Sequence, residues 1–542
     1  MATSGDWITP RLNAVRYFDK PPLLYWLSLL PFDVLGYTPA AARFWPAMGA
    51  VAIAVLTTAL GTRLDGPRTG MIAGLVVAAN LEMFVYGRLT KPDTVFVALI
   101  VLAFAAFASV CLGGGHGAVV LCGAALGLAV LAKDVLGALG PAAAMAACLV
   151  GRHDVGLPWR RIASLAAVVL AAVALPWYLV VEARSPGFLW YTVVDNHLLN
   201  FTRERVFPDD DVPLGALEFL GVTAVGFFPW TLALPVALTR PLRAPGRTAV
   251  DRLWLMLGLW TIGVVALFTV SPFTLSHYAL PAFSAMALLV ARVWSGAIAG
   301  DPRAPSARGL LVPAALGAAL VALLSWCAVT GALPFPDDVF IRADVASRNA
   351  IAQGERTPVV AVTDVFLVLQ ALAVVFSIAA AALAAAAWRR ATALGLGVVL
   401  AAMVAALPLA GRGMVEFARS RSAAPVAQAL ARRATPGVIA AVEGPIERAA
   451  SLLLHVQPPM FVVDGRRSTL AFGATFPDAR SVFWTAEDLR AAWGGPHRCL
   501  LVTSGSTGRG ALAGVPREDV YLLAAGGGRA LYSNRPDRTE TP

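Results

Sequence analysis

Apolar stretches of roughly 17 to 25 residues, the length that carries a helix across ~30 Å of hydrocarbon, recur from about residue 39 to residue 410. The pattern predicts about twelve spans, at 39–62, 67–86, 93–112, 117–133, 135–151, 160–182, 213–239, 253–271, 276–297, 308–331, 363–388 and 392–410. Only Lys133 and Asp134 part the fourth from the fifth. Before these spans, the double proline Pro21-Pro22 leads into an apolar, aromatic segment too short to span, which predicts an interfacial helix. After Gly411 the pattern changes: Ser422–Ala431 predicts a short amphipathic helix, and 437–442, 460–463, 481–484 and 499–503 predict strands between turn signals. The expected organisation is an outer loop with an interfacial helix (1–38), a transmembrane domain (39–410), a small α/β domain (411–535) and a polar tail (536–542).

Composition sharpens this picture. The 542 residues are 58% hydrophobic and 14% charged, with a mean hydropathy of +0.70, which places the chain in a bilayer. The net charge of +10 does not imply nucleic acid, because the basic residues form short clusters between apolar runs instead of one stripe. Arg63 and Arg68, Arg152 with Arg160 and Arg161, Arg240 to Arg252, Arg303 and Arg308, and Arg389 and Arg390 fall in alternate connections. The positive-inside bias makes those connections cytoplasmic. The longer loops around 183–212 and 332–362, residues 1–38 and everything after 411 then face outward, giving a multi-pass inner-membrane protein with an extracytoplasmic C-terminal domain. Met1 to Asp19 is polar, without the apolar core of a signal peptide, so the alternation asks for one more helix upstream of Met1. Five cysteines, four of them inside apolar runs, form neither a disulfide framework nor a CxxC site.

Polar groups that a bilayer hides poorly gather on the outward face: Asp19 and Lys20; Arg88, Lys91 and Asp93; Lys133 and Asp134; Asp195, Asn196 and His197; His277 and Tyr278. Ionisable groups at such depths mark a site unless they are paired or wet. Of the 43 basic residues only Lys20, Lys91 and Lys133 are lysines, and all three fall at outer helix ends. A compact ammonium suits a phosphate as a point charge. The competing account is that lysines at membrane ends snorkel, and it weighs most on Lys91 and Lys133. For Asp93, an acidic helix N-terminus is a comparable account.

The run Gly5-Asp6-Trp7-Ile8-Thr9-Pro10, followed by Asp19-Lys20-Pro21-Pro22-Leu23-Leu24-Tyr25-Trp26, resembles the first outer loop of the aminoarabinose transferase branch of glycosyltransferase family 39, relatives of the protein O-mannosyltransferases. Further motifs follow in order: Arg88 to Asp93, Leu131 to Pro141, Pro176-Trp177-Tyr178, Asn196-His197 to Phe201, Phe228-Pro229-Trp230 and Tyr278-Ala279-Leu280-Pro281. The resemblance implies a GT-C fold of about thirteen helices. It also implies transfer of a sugar from a polyprenyl-phosphate carrier to a lipid, glycan or protein acceptor outside the membrane, as in lipid A modification of the cell envelope. Such a reaction needs cations on the leaving phosphate and a carboxylate near the acceptor. Lys20, then Arg88, and Tyr278 are the expected phosphate contacts. Asp93 is the expected carboxylate, and Asp19, Lys91, His197 and His277 are candidate substrate contacts.

This sequence departs from the family pattern at Asn196, where Glu is usual, at Asn200, where Arg is usual, and at Thr274, where Lys is usual. Family members also carry an Asp-Glu pair about twenty residues before the Gly-Asp-Trp, which here would lie upstream of Met1 and supply the principal catalytic carboxylate. No cofactor is implied with certainty. A divalent metal near His197 is allowed, although Asn196 beside it makes a poor ligand set. Arg466 and Arg467, beside Asp464 and Gly465, are most simply a solvated turn. Two other readings stay open: a catalytically inactive or truncated relative acting as a binding or assembly component, and a lipid-linked-sugar flippase, which would want midplane charges or an inverted repeat.

Overall fold

The computed structural model describes residues 1, 4–149, 159–207, 211–243, 248–332, 344–352, 358, 360–456, 459–465, 469–504 and 510–537. Arg152, Arg247, Arg466 and Arg467 lie outside those residues, as does much of the loop 332–362. All twelve expected spans fall on helices. Among the described residues, eight helices are long and apolar enough to cross a membrane: Pro39–Asp65, Asp93–Cys111, Trp159–Arg184, Ala249–Val270, Ser276–Ala299, Ala307–Thr330, Val362–Trp388 and Thr392–Arg421. The chain is a multi-span integral membrane protein.

Three expected spans are shorter or broken. The run 67–86 is two helices, Pro67–Ala78 and Leu81–Tyr86, because the Asn80 side chain accepts from Met83 N at 2.9 Å and starts the second one afresh. The 213–239 run breaks between Ala216–Gly226 and Trp230–Leu242, which are bent by 103°; Pro229 has no N–H to continue the ladder. His116–Ala132 and Leu136–Leu149 are separated at the Lys133-Asp134 break, as the pattern predicts.

Asp93–Cys111 and Ser276–Ala299 run through the middle of the bundle, with 72% of their apolar windows buried, against 22% for Trp159–Arg184 at the rim. Pro39–Asp65 and Pro67–Ala78 pack so closely that a side chain on Gly70 or Gly74 would strike Thr62 or Thr58. Small residues at such crossings let the backbones approach.

The last long helix does not end at 410 but runs to Arg421, where it delivers the chain to a sheet. After Ala424–Arg433, the strands β3 (Ile439–Glu443), β4 (Phe461–Val463), β5 (Phe483–Trp484), β6 (Cys499–Thr503), β7 (Tyr521–Gly526) and β8 (Arg529–Ser533) form one sheet in the order β5-β4-β3-β6-β8-β7. β3 to β6 are parallel; β7 and β8 form an antiparallel hairpin against β6. That hairpin carries the sheet up to the polar tail: Tyr532 and Ser533 pair with Leu501 and Leu500.

The N-terminal loop straps this sheet to the bundle. A two-stranded hairpin, β1 (Arg11–Leu12) and β2 (Val15–Arg16), turns at Asn13, whose φ of 51° suits Asn. Buried Asn13 exchanges two hydrogen bonds with the Met460 backbone, at 2.7 and 2.8 Å. Arg11 and Arg16 both reach Asp478, at 2.9 and 3.1 Å. Phe18 packs among Phe188, Phe472 and Phe476, and Tyr191 stacks flat on Phe472 at 4.5 Å. The expected interfacial helix is Leu23–Leu35, with exposed Leu30, Val34 and Leu35.

Candidate active site

At the end of the bundle that carries the sheet, Pro92 ends a loop and Asp93 opens the most apolar helix. A buried carboxylate there needs compensation. Lys133, at the break after His116–Ala132, provides it: Lys133 Nζ donates to Asp93 Oδ1 at 2.7 Å, with the two side chains 13% and 5% exposed. His277 Nε2 lies 3.6 Å from the same oxygen. The His277 ring packs between Tyr86 and Tyr278, with centroids 5.4 and 4.9 Å away, and Tyr86 Oη hydrogen-bonds Ser276 Oγ at 3.0 Å. Lys133 Nζ sits 5.1 Å from the Tyr278 ring centroid, and Lys91 Nζ sits 5.8 Å from that of Tyr86.

Lys20 joins from the N-terminal loop. Its Nζ donates to Asp19 Oδ2 at 2.9 Å, and Tyr17 Oη is 3.4 Å from that oxygen. Burial alone would lower the Lys20 pKa, but Asp19 outweighs it and holds the ammonium well above the ordinary lysine range. Lys20, Lys91 and Lys133 all bear electrostatically on His277. Lys133 and Lys91 thus touch one centre directly, and the Lys20–Asp19 pair lies within electrostatic reach of it.

Asp93, Lys20, Asp19, Lys91, His277 and Tyr278 therefore stand together. Two expected residues do not join them. Arg88 is exposed and folds back on its own helix, its guanidinium 3.4 Å from the Phe84 ring centroid and donating to Phe84 O. His197 bonds the Thr192 carbonyl at 2.7 Å within the π-helix Trp190–Leu199. The residues around His197 do not suit a metal: buried Asp195 accepts from Val206 N at 2.6 Å and pairs with Arg205, which also binds Asn196. Among the described residues no three His, Cys, Asp or Glu side chains are placed to hold one. Thr274 spends its hydroxyl on Phe268 O at 2.6 Å.

The sequence reading missed Glu82. It is 5% exposed, neither of its oxygens has a hydrogen-bond donor among the described residues, and it packs against Gly226 at the bent span. An acid inside the apolar run 67–86 was the available signal. Arg205, 8% exposed and paired with Asp195, was also missed.

The whole chain superposes on the crystal structure of ArnT from Cupriavidus metallidurans bound to undecaprenyl phosphate with a TM-score of 0.76, covering 99% of this chain and 91% of that one at 23% identity. The chain has the ArnT fold. This agrees with the order of the motifs and with the expected GT-C fold. Residues 19–178 match the family described as Dolichyl-phosphate-mannose-protein mannosyltransferase. Two similar curated relatives are both named undecaprenyl phosphate-alpha-4-amino-4-deoxy-L-arabinose arabinosyl transferase. The one from Edwardsiella ictaluri is 27% identical over 299 residues, covering 54% of this chain and 52% of the relative. The one from Pectobacterium carotovorum is 30% identical over 311 residues, covering 55% and 53%. The chain thus spans about half the length of the curated relatives it matches.

Proposed function

We propose that this protein is a glycosyltransferase that moves a sugar from a polyprenyl-phosphate donor to a lipid, glycan or protein acceptor at the extracytoplasmic face of the inner membrane. The observation that carries the proposal is the grouping of Lys133 and Lys91 with Asp93, His277, Tyr86 and Tyr278 at one end of the bundle, with the Lys20–Asp19 pair in electrostatic reach. Breaking the bond between sugar and phosphate sends its electron pair to the phosphate oxygen. Fixed ammonium groups in a site shielded from water stabilise that charge without reorganising. Lys20 takes the phosphate. Lys91, which has no ion pair among the described residues, adds a second positive charge. Asp93 supplies the carboxylate, positioned by Lys133 and His277.

The names of the relatives make an undecaprenyl-phosphate 4-amino-4-deoxy-L-arabinose donor the first to test, and the motif resemblance makes lipid A the first acceptor. The sheet then lies outside the membrane with both described ends of the chain, in accord with the arginine clusters at the opposite end.

The test is release of radiolabelled sugar from such a donor by membranes holding the protein, beside a Lys20→Ala variant. Turnover that depends on Lys20 supports the reading; turnover indifferent to it, or none with any polyprenyl-phosphate sugar, removes it. A reporter fused after Pro542 checks the orientation, and activity only as a cytoplasmic reporter would reverse it.

A further inference from the structure

A groove of about 580 Å³ opens between the first turn of Val362–Trp388 and the last turns of Thr392–Arg421, on helices that contribute nothing to the lysine centre. Its size is within the roughly 300–1,000 Å³ of small-ligand sites. Its height is fixed by helix length. Thr392–Arg421 has 30 residues, about 45 Å at 1.5 Å each, so its last turns outrun ~30 Å of hydrocarbon and place the cavity at the headgroup level.

The lining carries both signs of charge. Arg412 and Arg419 supply two guanidinium groups, Asp364 and Glu416 two carboxylates, and Leu367 an apolar wall. Arg412 is exposed and makes no hydrogen bond or ion pair among the described residues. Arg419 is held in place by both oxygens of Glu416, at 2.8 and 3.1 Å. One Asp364 oxygen accepts from Ala361 N at 2.9 Å, starting the helix. Leu367 is 71% exposed on the outside of the bundle, where acyl chains run. An arginine that merely anchors a helix at the interface needs no acids beside it in a cavity. Guanidinium and carboxylate groups lining one small space instead complement a ligand bearing both signs, with Arg412 the free fork for a phosphate.

We propose that this groove binds the phosphoethanolamine headgroup of a membrane phospholipid, its phosphate on Arg412 and Arg419, its ammonium toward Asp364 and Glu416, and its acyl chains along Leu367. The site is separate from the lysine centre and does not depend on the transferase reading.

The test is native mass spectrometry of the full chain in detergent, titrated with phosphatidylethanolamine, phosphatidylglycerol or diacylglycerol of matched acyl chains. The wild type retains phosphatidylethanolamine in preference to both others. Arg412→Ala lowers retention of both phospholipids about tenfold, and Arg412→Lys, which keeps the charge without the fork, falls between. Asp364→Asn with Glu416→Gln brings phosphatidylethanolamine down to the level of phosphatidylglycerol. Equal retention of the two phospholipids by the wild type overturns the proposal, as does an Arg412→Ala protein that melts with the wild type and retains lipid equally. If Arg412→Ala does not fold, the wild-type preference and the Arg412→Lys variant still decide.

Discussion

In the sheet region, carboxylates accept from backbone N–H groups: Glu443 from Ala511 N at 2.7 Å, and Asp488 from Thr485 N at 2.8 Å at the start of its own helix. In the bundle, the buried Asp93 carboxylate is held by a second charge, Lys133, and among the described residues His277 Nδ1, Tyr178 Oη and both Glu82 oxygens are buried without a hydrogen-bond partner, against one carboxylate oxygen, of Glu447, in the sheet region. The two regions face different solvents. Beside water a carboxylate is satisfied by any nearby N–H or by hydration, whereas in hydrocarbon an unmatched polar group costs several kcal/mol. Polar groups kept in the bundle at that cost are therefore informative about function in a way that those of the sheet are not.

The sharpest break in this comparison is Asp93→Asn. It leaves Lys133 buried without its anion, so thermal unfolding in detergent should register a loss of about 3–5 kcal/mol, and sugar transfer should vanish. Adding Lys133→Met should restore most of the stability and none of the turnover. Next comes Lys20→Ala, whose ion pair is half-exposed. Turnover should fall on the order of 100-fold, while stability should move by less than about 1 kcal/mol. Equal losses of both would make Lys20 structural.

On the sheet side, Asn13→Ala removes both hydrogen bonds to Met460, and its replacement must hold a positive φ. A cost of roughly 2–3 kcal/mol should appear as faster proteolysis between the hairpin and the sheet. A smaller effect belongs to Asp478. Burial alone would raise its pKa, but the hydrogen bonds from Arg11 and Arg16 prevail and hold it below the ordinary value. Its stabilising share is thus present above the unfolded pKa of about 4 and is lost as pH falls through the lower folded value. Acid titration of the melting temperature should show a modest decline confined to that range. Arg88→Ala should change turnover least, by less than about threefold, because its partners are on its own helix.

Helix positions were legible because spanning a bilayer demands long apolar runs, and the scarcity of lysine singled out Lys20, Lys91 and Lys133 before any contact was known. The pairing of Lys133 with Asp93 was not legible, since nothing local links residues on separate helices. The failed role for Arg88 has the same origin: its sequence position fits, but its side chain finds an aromatic ring one turn back. The strands β7 and β8 were hidden by Gly526-Gly527-Gly528 and the polar residues beyond, a composition shared by frayed tails and tight hairpins. The run of helix to Arg421 escaped because apolar composition ends before hydrogen bonding does.

The hydrogen bonds between Asn13 and Met460 span 447 residues of chain. At the roughly 5–20 residues per second of synthesis, the N-terminal hairpin waits on the order of 20–90 s after it is made before its partner strand emerges. Throughout that interval the loop that carries Lys20 has its bonds to Trp177, Arg184 and Ser185 but lacks its anchor on the sheet, so this side of the centre is completed only after residue 460 has been made.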